Sequence, residues 1–144
     1  AIPLPIAIPG IKLGLSNIIT LILLLNYSPL EALTVLLARI ILASVFTGQA
    51  LSLLYSIAGG IFCFVAMYLI NRFLSGHFIF ITSIFGALFH NAGQLLVAYF
   101  ITRSAGVAVY LPFLVISGII TGLFTGLCAH YSQKYLLPHI KKNN

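Results

Sequence analysis

Apolar residues run almost unbroken along this chain, so its elements are marked by the interruptions rather than by any alternation. Pro3, Pro5 and Pro9 crowd the first ten residues and predict a loop over 1–10, because repeated proline removes the N–H groups a helix needs. An apolar run over 11–26 predicts a first helix, and Asn26-Tyr27-Ser28-Pro29 predicts the turn after it. A second helix follows from Pro29, a residue suited to a first helical turn, to about Phe46. Thr47-Gly48-Gln49 connects it to a third over 50–73, which Ser75-Gly76 breaks. The fourth spans 78–102, and Ser104-Ala105-Gly106 turns into a fifth over 107–136. A basic tail over 137–144 closes the chain.

Most of these runs exceed the length a buried soluble helix needs and match a bilayer core of ~30 Å. Composition makes the same point. The chain is 61% hydrophobic and 6% charged, about a quarter of the charge usual in a soluble domain. The expected fold is therefore all-α, a polytopic bundle of five transmembrane helices forming one domain over residues 1–144.

Charge adds orientation and several exclusions. Five spans put Arg72, Lys134, Lys141 and Lys142 on one side and Lys12 and Arg103 on the other. This bias predicts a cytoplasmic C-terminus and an external loop over 1–10. The net charge of +6 is scattered along the chain, so nucleic acid is not an expected partner. Glu31 is the sole acidic residue. Magnesium-dependent phosphoryl or prenyl-diphosphate chemistry needs clustered carboxylates, and no such cluster can form here. Cys63 and Cys128 fall in apolar spans, and the four histidines have no ligand spacing, so neither a disulfide nor a metal site is expected. Without an acid to orient a histidine beside any Ser or Thr, no catalytic residue, no enzymatic activity and no cofactor is expected.

What stands out is polarity at depth. Arg39 falls about ten residues into the second helix, ~15 Å from its start. His90, Asn91 and Gln94 lie mid-way along the fourth helix, with His90 and Gln94 on one face. Asn17 lies two turns into the first helix and Lys12 at its mouth. These six are the candidate substrate-binding residues, with Tyr55, Tyr99 and Tyr110 as candidate walls. Donors far outnumber acids, which favours an anionic or carbonyl-rich ligand. A competing reading is purely structural: polar groups in membrane helices often bond only to one another, at ~1 kcal/mol per pair. Gly118, Gly122 and Gly126 form a small-residue row on the fifth helix, expected to seat another helix of the same chain. Gly59-Gly60 reads in the same way.

The run Pro9-Gly10-Ile11-Lys12-Leu13-Gly14-Leu15-Ser16-Asn17 resembles bacterial membrane proteins described as heptaprenyl diphosphate synthase component I or Gx transporter. Ser52 to Gly60, His90-Asn91-Ala92-Gly93-Gln94-Leu95 and Ser117 to Gly122 carry the same resemblance. That family is in turn similar to the substrate-binding S components of energy-coupling-factor transporters. The resemblance implies a six-helix fold whose first helix precedes the proline-rich loop, leaving five here. It also implies that this loop acts as a lid, giving weight to Lys12. Partners would be a transmembrane coupling subunit and cytoplasmic ATPases, since the chain has no Walker A pattern. The leading expectation is a substrate-capture subunit in the bacterial cell membrane. Two alternatives remain open: a non-catalytic accessory subunit of isoprenoid or quinone biosynthesis, and a structural subunit of a larger membrane complex.

Overall fold

The computed structural model describes residues 9–74, 78–136 and Pro138, with side chains from Asn17 onward. Among these residues there is no strand, and five α-helices follow in order: α1 Pro9–Asn26, α2 Pro29–Thr47, α3 Ala50–Phe73, α4 Ile79–Thr102 and α5 Leu111–Tyr131. Four segments are long and apolar enough to cross a membrane: α2, α3, α4 and the stretch Ala105–Leu136 that contains α5. The described part of α1 contributes the shorter apolar stretch Asn17–Asn26. Residues 1–8 of the expected lid loop and most of the basic tail lie outside the described residues.

Two boundaries differ from expectation. The described part of α1 already includes Pro9 and Gly10, two residues ahead of the expected start. The expected fifth helix is split into a 3₁₀ segment over Ala105–Tyr110, α5, and a π-helical turn over Ser132–Leu136. Pro112 explains the first split: lacking an N–H, it opens α5 instead of continuing the preceding turn.

The start of α2 is built by side chains. Ser28 Oγ accepts from the Glu31 N–H (3.3 Å), and the Glu31 carboxylate accepts from the Ser28 N–H (3.1 Å). This reciprocal cap satisfies donors that would otherwise be orphaned and fixes the place of the chain's single carboxylate. At the other end Gly48 takes φ 66° and its N–H bonds to the Ser44 carbonyl, stopping the helix.

Packing inverts the rule of soluble proteins. The buried positions of α4 are Thr82, Ser83, Gly86, Ala87, His90 and Gly93, whereas Phe80, Phe85 and Phe89 face outward. Lipid accepts large apolar side chains, so small and polar residues take the helix contacts. α4 is the centre of the bundle, with α3 on one side and α5 on the other, and these two seams are the most extensive. α1 packs on α5 and α2 and also reaches α3 and α4. The Gly118–Gly122–Gly126 row seats α4 of the same chain: a β-carbon at Gly122 would lie 2.5 Å from the Ile84 Cα. Ser83 Oγ donates to the Gly122 carbonyl at 2.6 Å across this seam.

Leu21, Leu24, Ala32, Cys63, Met67 and Ala129 form an apolar core towards the end of the bundle where α1 turns into α2.

Candidate functional site

Three helices bring polar groups together around one glycine. Gly59 on α3 leaves a flat patch of backbone, and the His90 ring and the Gln94 stem of α4 lie on it. A β-carbon there would sit 2.9 Å from His90 Cε1 and 3.1 Å from Gln94 Cγ. One residue on, Gly60 receives α2, with a β-carbon position 2.9 Å from Ile40 Cδ1 and 3.4 Å from Leu36 Cδ1. Arg39, beside Ile40, is thereby delivered into the same region and lies within electrostatic reach of both His90 and Cys63. The Gly59-Gly60 pair thus gives α2 and α4 room to approach α3 from two sides.

The depth is similar for all contributors. Arg39 lies eight residues from the end of α2, ~12 Å along the axis, and Gln94 eight from the end of α4. Gly59 is nine residues into α3, ~14 Å. His90 is one turn deeper than Gln94.

What distinguishes this cluster is unmet bonding capacity. His90 is only 4% exposed, and neither Nδ1 nor Nε2 has a hydrogen-bond partner. The His90 ring lies against the Gly59 backbone, close enough to interact with it electrostatically. Nη1 of the half-buried Arg39 is also buried and without a partner. Such groups cost about 1–3 kcal/mol each when left unbonded, and more when charged. Among the described residues, three buried side chains hold an unpartnered N or O atom, and two of them, Arg39 and His90, supply three of the four such atoms, the fourth being Asn71 Oδ1.

The other candidates fare differently. Asn17 is buried on the face of α1 that continues into Leu21 and Leu24, one turn above the apolar core. Asn91 turns to the other side of α4 and donates from Nδ2 to the Leu114 carbonyl of α5 at 2.9 Å. It is a helix-to-helix bond of the kind the structural reading anticipates. Lys12 belongs to α1, and its side chain lies outside the described residues. Tyr55 is half-buried one turn before Gly59 and on the same face of α3. Tyr99 and Tyr110 are exposed, and Tyr99 instead lines a separate groove of about 510 Å³ between α4 and the 3₁₀ segment with α5. That groove is almost wholly apolar, as is a second of about 470 Å³ between α3 and α4. Both follow lipid-facing surface and neither includes Arg39 or His90.

Sequence reasoning missed Cys63 as a group within electrostatic reach of Arg39 and missed Gly59 as the platform under His90 and Gln94. The glycine pair was legible as a packing signal, but which side chains it admits depends on helix rotation. Thr20, Thr82, Ser83 and Thr125 are also buried polar residues that hydropathy alone does not separate from exposed ones. Among the described residues, no three His, Cys, Asp or Glu side chains gather as metal ligands.

No match to a curated protein or to a solved structure was found. A family model described as heptaprenyl diphosphate synthase component I matches residues 1–132. With nearly the whole length covered, five helices in place and the quoted motifs spread along them, the chain belongs to the heptaprenyl diphosphate synthase component I family.

Proposed function

We propose that this chain is the substrate-binding membrane subunit of an ATP-driven uptake transporter of the energy-coupling-factor type. Arg39, His90 and Gln94 hold a small molecule, with Asn17 and Lys12 contributing from α1 and Tyr55 as a wall. The observation that carries this reading is the set of three buried, unpartnered nitrogens on Arg39 and His90, the side chain of His90 lying on Gly59 and Arg39 standing next to Ile40, which packs at Gly60. A purely structural polar cluster satisfies itself, because each unsatisfied group in hydrocarbon costs several kcal/mol. Groups left open on two helices suit a molecule that is absent from the free subunit. The basic-residue bias supports a cytoplasmic C-terminus and a site facing outward. Energy would come from partners, a coupling subunit and cytoplasmic ATPases, since a single glutamate and no Walker A pattern leave the chain without its own nucleotide site.

The family description favours a second reading, in which the chain is a non-catalytic membrane component assisting prenyl-diphosphate synthesis. Catalysis itself would need magnesium held by several carboxylates, so this role is one of presenting or retaining an apolar substrate.

Native mass spectrometry of the gently purified full-length protein, beside an Arg39→Ala/His90→Ala variant, tests the first reading. A bound small molecule present in the wild type and lost in the variant is the expected result. Co-purifying ATPases support transport. A stoichiometric prenyl compound that the variant retains would transfer the assignment to the second reading. Wild type that stays empty when offered vitamins and isoprenoid precursors, with no ATPase partner, would remove the transport reading.

A further inference from the structure

Residues 1–144 hold no acidic side chain free to pair with Arg39. The chain contains one acidic side chain, Glu31, and both its position and its bonds commit it to the Ser28 cap. It lies eight residues before Arg39, ~12 Å along α2, and is exposed at the helix start. Cys63 and His90 lie within electrostatic reach of Arg39, and neither is an acid that could neutralise a guanidinium. A cation held deep in a span without a counter-charge is unfavourable by at least several kcal/mol in a low-dielectric setting. Nη1 also lacks any hydrogen-bond partner.

Resting on the capture reading, we infer that the ligand of the Arg39–His90 site carries one anionic group, a carboxylate or phosphate oxygen, that serves as the counter-charge to Arg39. The anion meets Arg39 Nη1, and the ring nitrogens of His90 take a second polar group of the same molecule. A single negative charge suffices to neutralise Arg39, the only Lys or Arg in the described middle of the spans. A neutral or cationic ligand would leave Arg39 unpaired and is excluded. Two sources share this chemistry: a small soluble acid and the phosphate of an anionic lipid.

Thermal unfolding of the full-length protein in nanodiscs of neutral phosphatidylcholine tests the inference, with acetate as the anionic probe and acetamide as its neutral match. Acetate raises the wild-type midpoint by about 3–6 °C once it exceeds its Kd by ~10-fold, and acetamide does not. Arg39→Gln abolishes the response and Arg39→Lys keeps part of it. Cys63→Asp supplies a built-in counter-charge: its midpoint lies above that of Cys63→Asn, and it no longer responds to acetate. This arm is independent of whether acetate fills the site well. Anionic phosphatidylglycerol in the disc reproduces the acetate effect, in an Arg39-dependent manner, if the source is lipid; its failure to do so assigns the source to a soluble acid. An equal response to acetate and acetamide, a response retained in Arg39→Gln, or equal midpoints for Cys63→Asp and Cys63→Asn overturns the inference. A neutral molecule found on the wild type by mass spectrometry removes this inference while the capture reading stands. An empty site with no coupling between position 63 and Arg39 removes both.

Discussion

α5 and α2 both lean on a neighbour through glycine, yet the two seams are made differently. Where α5 meets α4, a β-carbon at Gly122 would strike backbone, with Ile84 Cα at 2.5 Å and Ile84 N at 3.0 Å. Gly93 does the same between α4 and α3, facing the Ala58 carbonyl oxygen at 2.7 Å. Backbone cannot step aside, so α3, α4 and α5 form one slab, further tied by the Ser83–Gly122 and Asn91–Leu114 hydrogen bonds. α2 meets α3 at Gly60 through the tips of Ile40 and Leu36, which can turn. Among the described residues, the side-chain hydrogen bonds of α2 stay within the helix and its cap. The same motif that welds one seam leaves the other adjustable. The division falls across the candidate site: His90 and Gln94 are on the slab, and Arg39 is on the adjustable helix. A ligand between them would draw α2 to α4, and its absence would let α2 move.

The comparison breaks most decisively at Gly122. Gly122→Ala costs about 3 kcal/mol, the upper part of the usual overpacking range, because the obstruction is backbone. Reversible unfolding in mixed micelles measures it, and a cost below that of Gly60→Ala would undo the distinction between the seams. Ser83→Ala removes a buried bond within the slab and costs about 1 kcal/mol in the same assay. Ser28→Ala costs a similar amount, about 1 kcal/mol, through the lost cap of α2. The two differ in where they act: hydrogen exchange should rise locally at the start of α2 for Ser28→Ala and leave α4 unchanged. Gly60→Ala is the mildest, at about 0.5–1 kcal/mol, since only flexible tips need to shift. It should nevertheless weaken ligand binding by more than its stability cost implies, because it displaces the helix that carries Arg39. Without ligand, the amides of α2 should exchange faster than those of α3 and α4; equal protection would place Arg39 on the rigid part.

Much of this could be seen before any coordinates. Proline and glycine interruptions in a nearly continuous apolar sequence located all five helices, and α3 falls at Ala50–Phe73 as expected. α5 shows the limit of that reading: hydropathy continues through Leu111-Pro112, so the change from 3₁₀ to α geometry leaves no mark in apolar content. The candidate site was legible as a depth and not as a constellation. His90 and Asn91 are adjacent and equally polar, but one faces α3 without a bonding partner and the other bonds to α5. A turn of 100° per residue separates them, and no property of the two side chains says which direction holds α3.

The sequence by itself determined the membrane as solvent, the number of helices and the shortage of acid, because these follow from transfer free energies and from counting charges. It also determined that Arg39 can find no carboxylate nearby along its own helix other than the one that caps it. Only the tertiary structure decided that the Gly118 row turns inward to α4, that Asn91 is bonded, and that His90 lies on Gly59 while the helix of Arg39 packs at Gly60. Those outcomes depend on how each helix is rotated about its axis. In a chain whose faces are all nearly equally apolar, rotation is set by the close approach of small residues and by interhelical hydrogen bonds, and both exist only once the helices are packed.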